Sequence, residues 1–109
     1  MSTEYCLVLC TCPDAATARA LADALVADRQ AACVNILPGL ASVYPWEGKL
    51  ETAAEQLLLI KAGSARFDEL EAFIKACHPY QVPEIIAVPI VAGSADYLQW
   101  MAAWLDSRR

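Results

Sequence analysis

The chain has 109 residues, 58% of them hydrophobic, and thirteen acidic against eight basic side chains give a net charge of -5. That length is one domain, expected to span residues 1–109, and the apolar content excludes a disordered segment. The acidic balance, with no run of basic residues, opposes binding to nucleic acid or to an anionic membrane.

Tyr5 to Cys12 is nearly continuously apolar, as expected of a strand placed centrally in a sheet or covered on both faces. Pro13-Asp14 ends it, and Asp14 is placed to cap a helix from Ala15 to about Arg29, with Ala18, Leu21, Ala22 and Leu25 lining one face. Ala32 to Tyr44 reads as a strand interrupted at Pro38-Gly39, and Lys49 to Ala62 as its partner across the tight Pro45-Trp46-Glu47-Gly48 turn. Proline cannot donate to a ladder, so the strand holding Pro38 belongs at an edge or carries a bulge. Ser64 is the expected cap of a second helix reaching Cys77, with Phe67, Leu70, Ile74 and Cys77 on one face. Glu84 to Val91 is a last strand, another edge candidate because of Pro89. Gly93-Ser94 opens a third helix that carries Tyr97, Met101, Trp104 and Leu105.

The order β-α-β-β-α-β with a terminal helix predicts an α+β, ferredoxin-like antiparallel sheet, with the first and third strands central. Both prolines then fall on edge strands. This topology brings the end of the first strand, the end of the second helix and the start of the fourth strand to one end of the sheet. Cys10, Cys12, Cys77, His78 and Glu84 are therefore expected to converge. His78 is the only histidine, and Cys77-His78-Pro79 to Pro83-Glu84 sets thiol, imidazole and carboxylate on a loop stiffened by two prolines. Cys10, Cys77, His78 and Glu84 are the candidate metal ligands. Equally, Cys10 and Cys77 read as small buried hydrophobes, and Glu84 as a partner to His78 or a pairing group at a subunit junction.

Five cysteines, an odd number, do not make the even disulfide framework of a small secreted domain. The start, Met1 to Tyr5, lacks the basic and apolar regions of a leader, and no window reaches the roughly 18 to 20 apolar residues of a membrane span, so a cytoplasmic location is expected. Cys10-Thr11-Cys12 is not the Cys-x-x-Cys redox pattern, and no Ser-His-Asp set or phosphate-binding glycine loop is present, so no enzyme is expected.

The third strand would run roughly 40 Å at about 3.4 Å per residue, against a radius of gyration near 13 Å for a domain of this size. The hairpin should therefore protrude, presenting Val43, Tyr44, Trp46 and Leu50 together with open edges. A second copy of the chain is the simplest cover, which predicts a closed ring of subunits, unless the hairpin folds back at Pro38-Gly39.

Val8-Leu9-Cys10-Thr11, Ala31-Ala32-Cys33, Tyr44-Pro45-Trp46-Glu47-Gly48-Lys49, His78-Pro79-Tyr80 with Pro83-Glu84, and Asp96-Tyr97-Leu98-Gln99-Trp100 together resemble the CutA divalent-cation tolerance family from about Val8 to Trp104. The resemblance implies a homotrimer built like the nitrogen-regulatory PII proteins, with Tyr44, Trp46, Glu47 and Lys49 at the trimer interface. It also implies a role in divalent-metal tolerance, with a copper ion as the bound metal. In copper-binding members the ligands match Cys10 and two consecutive histidines before Pro-Tyr; here Cys77 replaces the first and His78 is the second. That exchange softens the set towards Cu(I) or Zn(II). The other function that the resemblance allows is a PII-like scaffold binding a small metabolite or a protein at subunit clefts.

Overall fold

A computed structural model describes residues 4–107; Met1 to Thr3 at the start and the basic pair Arg108 and Arg109 lie outside them. The elements are β1 (Tyr5–Cys12), α1 (Ala15–Ala27), β2 (Cys33–Trp46), β3 (Lys49–Gly63), α2 (Phe67–Cys77), β4 (Ile86–Pro89) and α3 (Ala95–Asp106). The four strands form one antiparallel sheet in the order β2-β3-β1-β4, the ferredoxin-like arrangement with both prolines on edge strands. Among the described residues, no helix is long and apolar enough to cross a membrane.

Strand alternation sorts the sheet into two unlike faces. Cys6, Val8, Cys10 and Cys12 of β1 pair across to Ala62, Ile60, Leu58 and Gln56 of β3, and all of these but Gln56 form the core with Leu21 and Leu25 of α1 and Leu70 and Ile74 of α2. The opposite face carries Leu7, Leu9, Leu57, Leu59, Ile86 and Val88, which the ladder aligns in register; they are half-buried or exposed. So β1 is central, but this chain covers only one of its faces. A smaller cluster around Ala32, Met101 and Leu105 packs α3 near Tyr5.

The element ends show which local signals governed. Asp14 caps α1, its Oδ1 accepting from the Thr17 amide at 2.7 Å. The helix stops at Ala27 rather than Arg29, because Arg29 turns left-handed (φ 61). The Gln30 amide then donates to Leu25 O and the Arg29 amide to Val26 O, a Schellman closure. The guanidinium of Arg29, stacked 3.4 Å over the Trp104 ring, holds that turn. Ser94 caps α3 through the Tyr97 amide. Ser64 does not cap α2: Ser64–Arg66 forms a 3-10 turn, and the Ser64 amide donates to Glu4 O, tying it to the neighbouring strand. β4 is four residues long, shorter than Glu84 to Val91, because its ladder with β1 runs only from Ile86 to Pro89.

β2 and β3 pair from Cys33 to Trp46, continuing past Pro38-Gly39 through a bulge between Leu37 and Leu40, so the hairpin does not fold back there. Its two-residue turn has positive φ at both Glu47 (52°) and Gly48 (80°), the mirror-image geometry that matches strand twist. The protein is correspondingly elongated, 44 × 28 × 24 Å, with a radius of gyration of 14.5 Å. Along the ribbon, Val43 is 66% and Leu50 81% exposed.

Candidate metal centre

The site forms where β1 ends and α2 stops. Cys10 and Cys12, two apart on β1, both point into the core and are wholly buried. The buried stripe of α2 runs through Leu70 and Ile74, so the next inward position falls at Cys77 or His78. Pro79 decides between them: it favours extended backbone at His78 (φ -86, ψ 137), which ends the helix, leaves Cys77 exposed and turns the imidazole inward.

His78 is buried and both its ring nitrogens are engaged. Nε2 lies 2.7 Å from the Thr11 carbonyl, and the Tyr80 amide donates to Nδ1 at 3.1 Å. A carbonyl only accepts and an amide only donates, so the proton sits on Nε2 and the lone pair on Nδ1. Nε2 is also 3.9 Å from Cys12 Sγ. The donor atoms of Cys10, Cys12 and His78 all lie within 4.8 Å of one another. The two thiols behave as a pair. Cys10 is pushed far up by its hydrogen bond to Cys12, then by burial; Cys12 is held below the ordinary thiol value because Cys10 donates to it.

Of the four ligands expected from sequence, Cys10 and His78 are brought together. Cys77 and Glu84 are exposed and stand outside the group of three. Cys12 takes their place, and the signal for it was in the chain: residues two apart on a strand share a face. Donor type and spacing fit a soft ion. Thiolates from Cys10 and Cys12 would hold it, and His78 would join only by giving up its bond to Thr11.

Beside this group, on the other side of the Thr11 backbone, is a cleft of about 710 Å³ whose lining includes Thr11, Tyr44, Trp46, Glu55, Tyr80 and Glu84. Glu55 is buried, and its Oε2 accepts a 2.6 Å hydrogen bond from the Tyr80 hydroxyl. Burial first, and then that bond to the carboxylate, push the Tyr80 phenol up. Sequence reading did not single out Glu55. Its only signal was a charged residue at the head of an apolar strand. Tyr44, Trp46, Glu47 and Lys49 are all exposed, the first two lining the cleft and the others at the hairpin end.

A ferredoxin-like sheet with one bare apolar face, a protruding ribbon and a thiol–imidazole cluster at its rim defines a class of small α+β proteins. Residues 6–104 match the family described as CutA1 divalent ion tolerance protein, and the chain belongs to that family. It is 50% identical over 95 residues to the divalent-cation tolerance protein CutA of Thermus thermophilus, covering 87% of this chain and 92% of that one. It is 46% identical to the chloroplastic CutA 1 protein of rice, covering 87% of this chain and 54% of that one. Among solved structures, CutA from Xylella fastidiosa superposes with a TM-score of 0.91 at 42% identity, covering 96% of this chain and all (100%) of that one. A periplasmic divalent cation tolerance protein from Archaeoglobus fulgidus gives a TM-score of 0.90 at 36% identity, covering 93% of this chain and 98% of that one.

Proposed function

We propose that this chain is a non-catalytic, homotrimeric protein of divalent-metal tolerance that binds copper, as Cu(I), through Cys10 and Cys12 with His78 as a third donor. The observation that carries the reading is the gathering of three soft donor atoms within 4.8 Å at the end of β1. Two thiols and an imidazole favour Cu(I) or Zn(II) over hard ions, which want oxygen ligands. Glu84 and Cys77 remain candidates only for an outer role, such as handing an ion inward from the exposed end of α2.

Self-association is supported by the uncovered face of the sheet. Leu7, Leu9, Leu57, Leu59, Ile86 and Val88 form a continuous apolar surface that a monomer would leave in water. The hairpin residues Tyr44, Trp46, Glu47 and Lys49 extend this contact surface beyond the globule. Five free thiols agree with a reducing cytoplasm, and the acidic charge agrees with the absence of nucleic-acid or membrane partners. A PII-like scaffold with a ligand or partner in its clefts is the second reading, favoured by the cleft beside Tyr80. Glu55 and Glu84 set that cleft against anions.

Anaerobic Cu(I) titration against a competing chelator separates the two readings. Cys10→Ser and Cys12→Ser should each weaken binding at least tenfold, as expected for loss of a thiolate ligand. Unchanged affinity in both would remove the metal site and leave the scaffold reading.

A further inference from the structure

We propose that Cys33 and Lys61 form a reversible covalent bridge, sulfur to oxygen to nitrogen, when the protein meets dioxygen, so that this pair is a redox-modification site on the sheet. The pair is independent of the metal site. Lys61 lies opposite Leu7, near the start of β1, whereas the Cys10, Cys12 and His78 donors gather at the end of that strand.

The first observation is placement. Cys33 opens β2 and is the direct ladder partner of Lys61 on β3. Facing residues on paired strands hold their Cβ atoms about 4.5 to 5.5 Å apart, so their side-chain ends can meet. Lys61 Nζ lies 3.9 Å from Cys33 Sγ and also donates to Asn35 Oδ1, two residues along the same face of β2. Asn35 thereby anchors the ammonium beside the sulfur. Among the described residues, no carboxylate forms an ion pair with Lys61. From α3, Tyr97 closes on the same thiol: burial first, and then its hydrogen bond with Cys33, push the phenol up.

The second observation is that this thiol has no sulfur to pair with in its own chain. Val34 and Ile36 pack against the core, so Cys33 and Asn35, alternating with them, face the other side of the sheet from Cys6, Cys10 and Cys12. Cys77 precedes His78, which is bonded to Thr11 at the far end of β1. Oxidation of Cys33 therefore meets an amine and no second thiol. Both groups are half-buried rather than sealed, which leaves them open to a small oxidant.

The chemistry balances with dioxygen as the oxidant. One oxygen atom becomes the bridge through new S–O and O–N bonds, and the other leaves as water. The S–H bond and two N–H bonds of the ammonium break; two of those hydrogens enter the water and the third leaves as a proton. Sulfur and nitrogen lose two electrons each, and dioxygen takes all four. A dithiol reductant returns those electrons and restores thiol, amine and water. An oxygen bridge leaves sulfur and nitrogen further apart than a direct S–N bond would, so it needs less closure from 3.9 Å.

To test this, the full chain is held in dioxygen-saturated buffer with a metal chelator, digested without reductant and read by peptide mass spectrometry. Wild type should yield the Cys33 and Lys61 peptides joined, at their summed mass plus one oxygen and less two hydrogens. Use of ¹⁸O2 should shift that mass, and dithiothreitol should separate the peptides. Cys33→Ser should lose the cross-link. Lys61→Arg, which keeps the charge and a donor for Asn35, should lose it too while melting as wild type does. Cys33 recovered only as the free thiol, or as sulfinic or sulfonic acid beside an unmodified Lys61, would overturn the proposal. A joined pair lacking the added oxygen, the mark of a direct S–N bond, would overturn it as well.

Discussion

His78 Nε2 donates to the Thr11 carbonyl at 2.7 Å, joining the loop after α2 to the end of β1 across 67 positions of sequence. With Nδ1 accepting from the Tyr80 amide, the ring is a bolt between a strand end and a proline loop. His78→Ala would leave a buried carbonyl and an amide unpartnered. It should destabilise the fold by about 3 kcal/mol. His78→Gln, which keeps a donor and an acceptor, should recover part of the loss. Urea denaturation of the two variants checks this, and equal stability of the alanine variant and wild type would count against it.

Tyr80 and Glu55 form the second link across the same end. Tyr80→Phe should cost about 1 to 3 kcal/mol because the carboxylate loses its donor, and far less in a Glu55→Gln background. The phenol also sets an alkaline limit. Its folded pKa lies above the ordinary value near 10, so its contribution is whole below pH 10 and fades as pH rises through the folded value. Thermal melts from pH 8 to 11 should show wild type losing its advantage over Tyr80→Phe only in the upper part of that range.

The Asp14 cap gives an acid-side counterpart. Its bond from the Thr17 amide holds the carboxyl below its usual range, so its stabilisation is present above about pH 4 and lost as pH falls through the folded value. Asp14→Ala should lower Tm at neutral pH, with the gap to wild type narrowing below pH 4 on a pH series of melts. A constant gap would assign the effect to something other than the charge.

The hairpin turn carries avoidable strain. Glu47 occupies the left-handed region, which costs most side chains about 1 kcal/mol and which glycine, lacking Cβ, and asparagine, bonding locally, tolerate better. Glu47→Asn, restoring the Asn-Gly pair that suits this turn, should raise stability by roughly that amount. Gly48→Ala should lower it by about 1 kcal/mol although nothing lies within 4 Å of the added carbon, since the penalty is in the backbone.

Thiol accessibility orders the five cysteines. Cys77 is exposed and Cys33 partly so, while Cys6, Cys10 and Cys12 are buried. Brief alkylation of the native protein, read by peptide mapping, should mark Cys77 first and spare the β1 cysteines until denaturant is added. Early labelling of Cys12 would contradict a closed rim around His78.

The order of elements, the edge positions of Pro38 and Pro89, the cap at Asp14 and the start of the third helix at Ser94 were legible in the chain, because each depends on residues close in sequence. Ser64 failed as a cap because the chain takes a 3-10 turn over Ser64–Arg66, anchored by the Ser64 amide on Glu4 O, a partner that local reading cannot see. The choice of His78 over Cys77 as the inward residue was tertiary in the same sense. Helical periodicity offers both residues after Ile74, and only the exit of the chain at Pro79 sets which one turns inward.

Composition, periodicity and turn chemistry thus determined the sheet, its topology and the long ribbon, since backbone conformation responds to nearest neighbours. Only the folded chain decided which donors meet at the end of β1, that Glu55 is buried under Tyr80, and that one sheet face stays bare. Those outcomes depend on where distant strands place their side chains, and a pairing register is a property of two segments together.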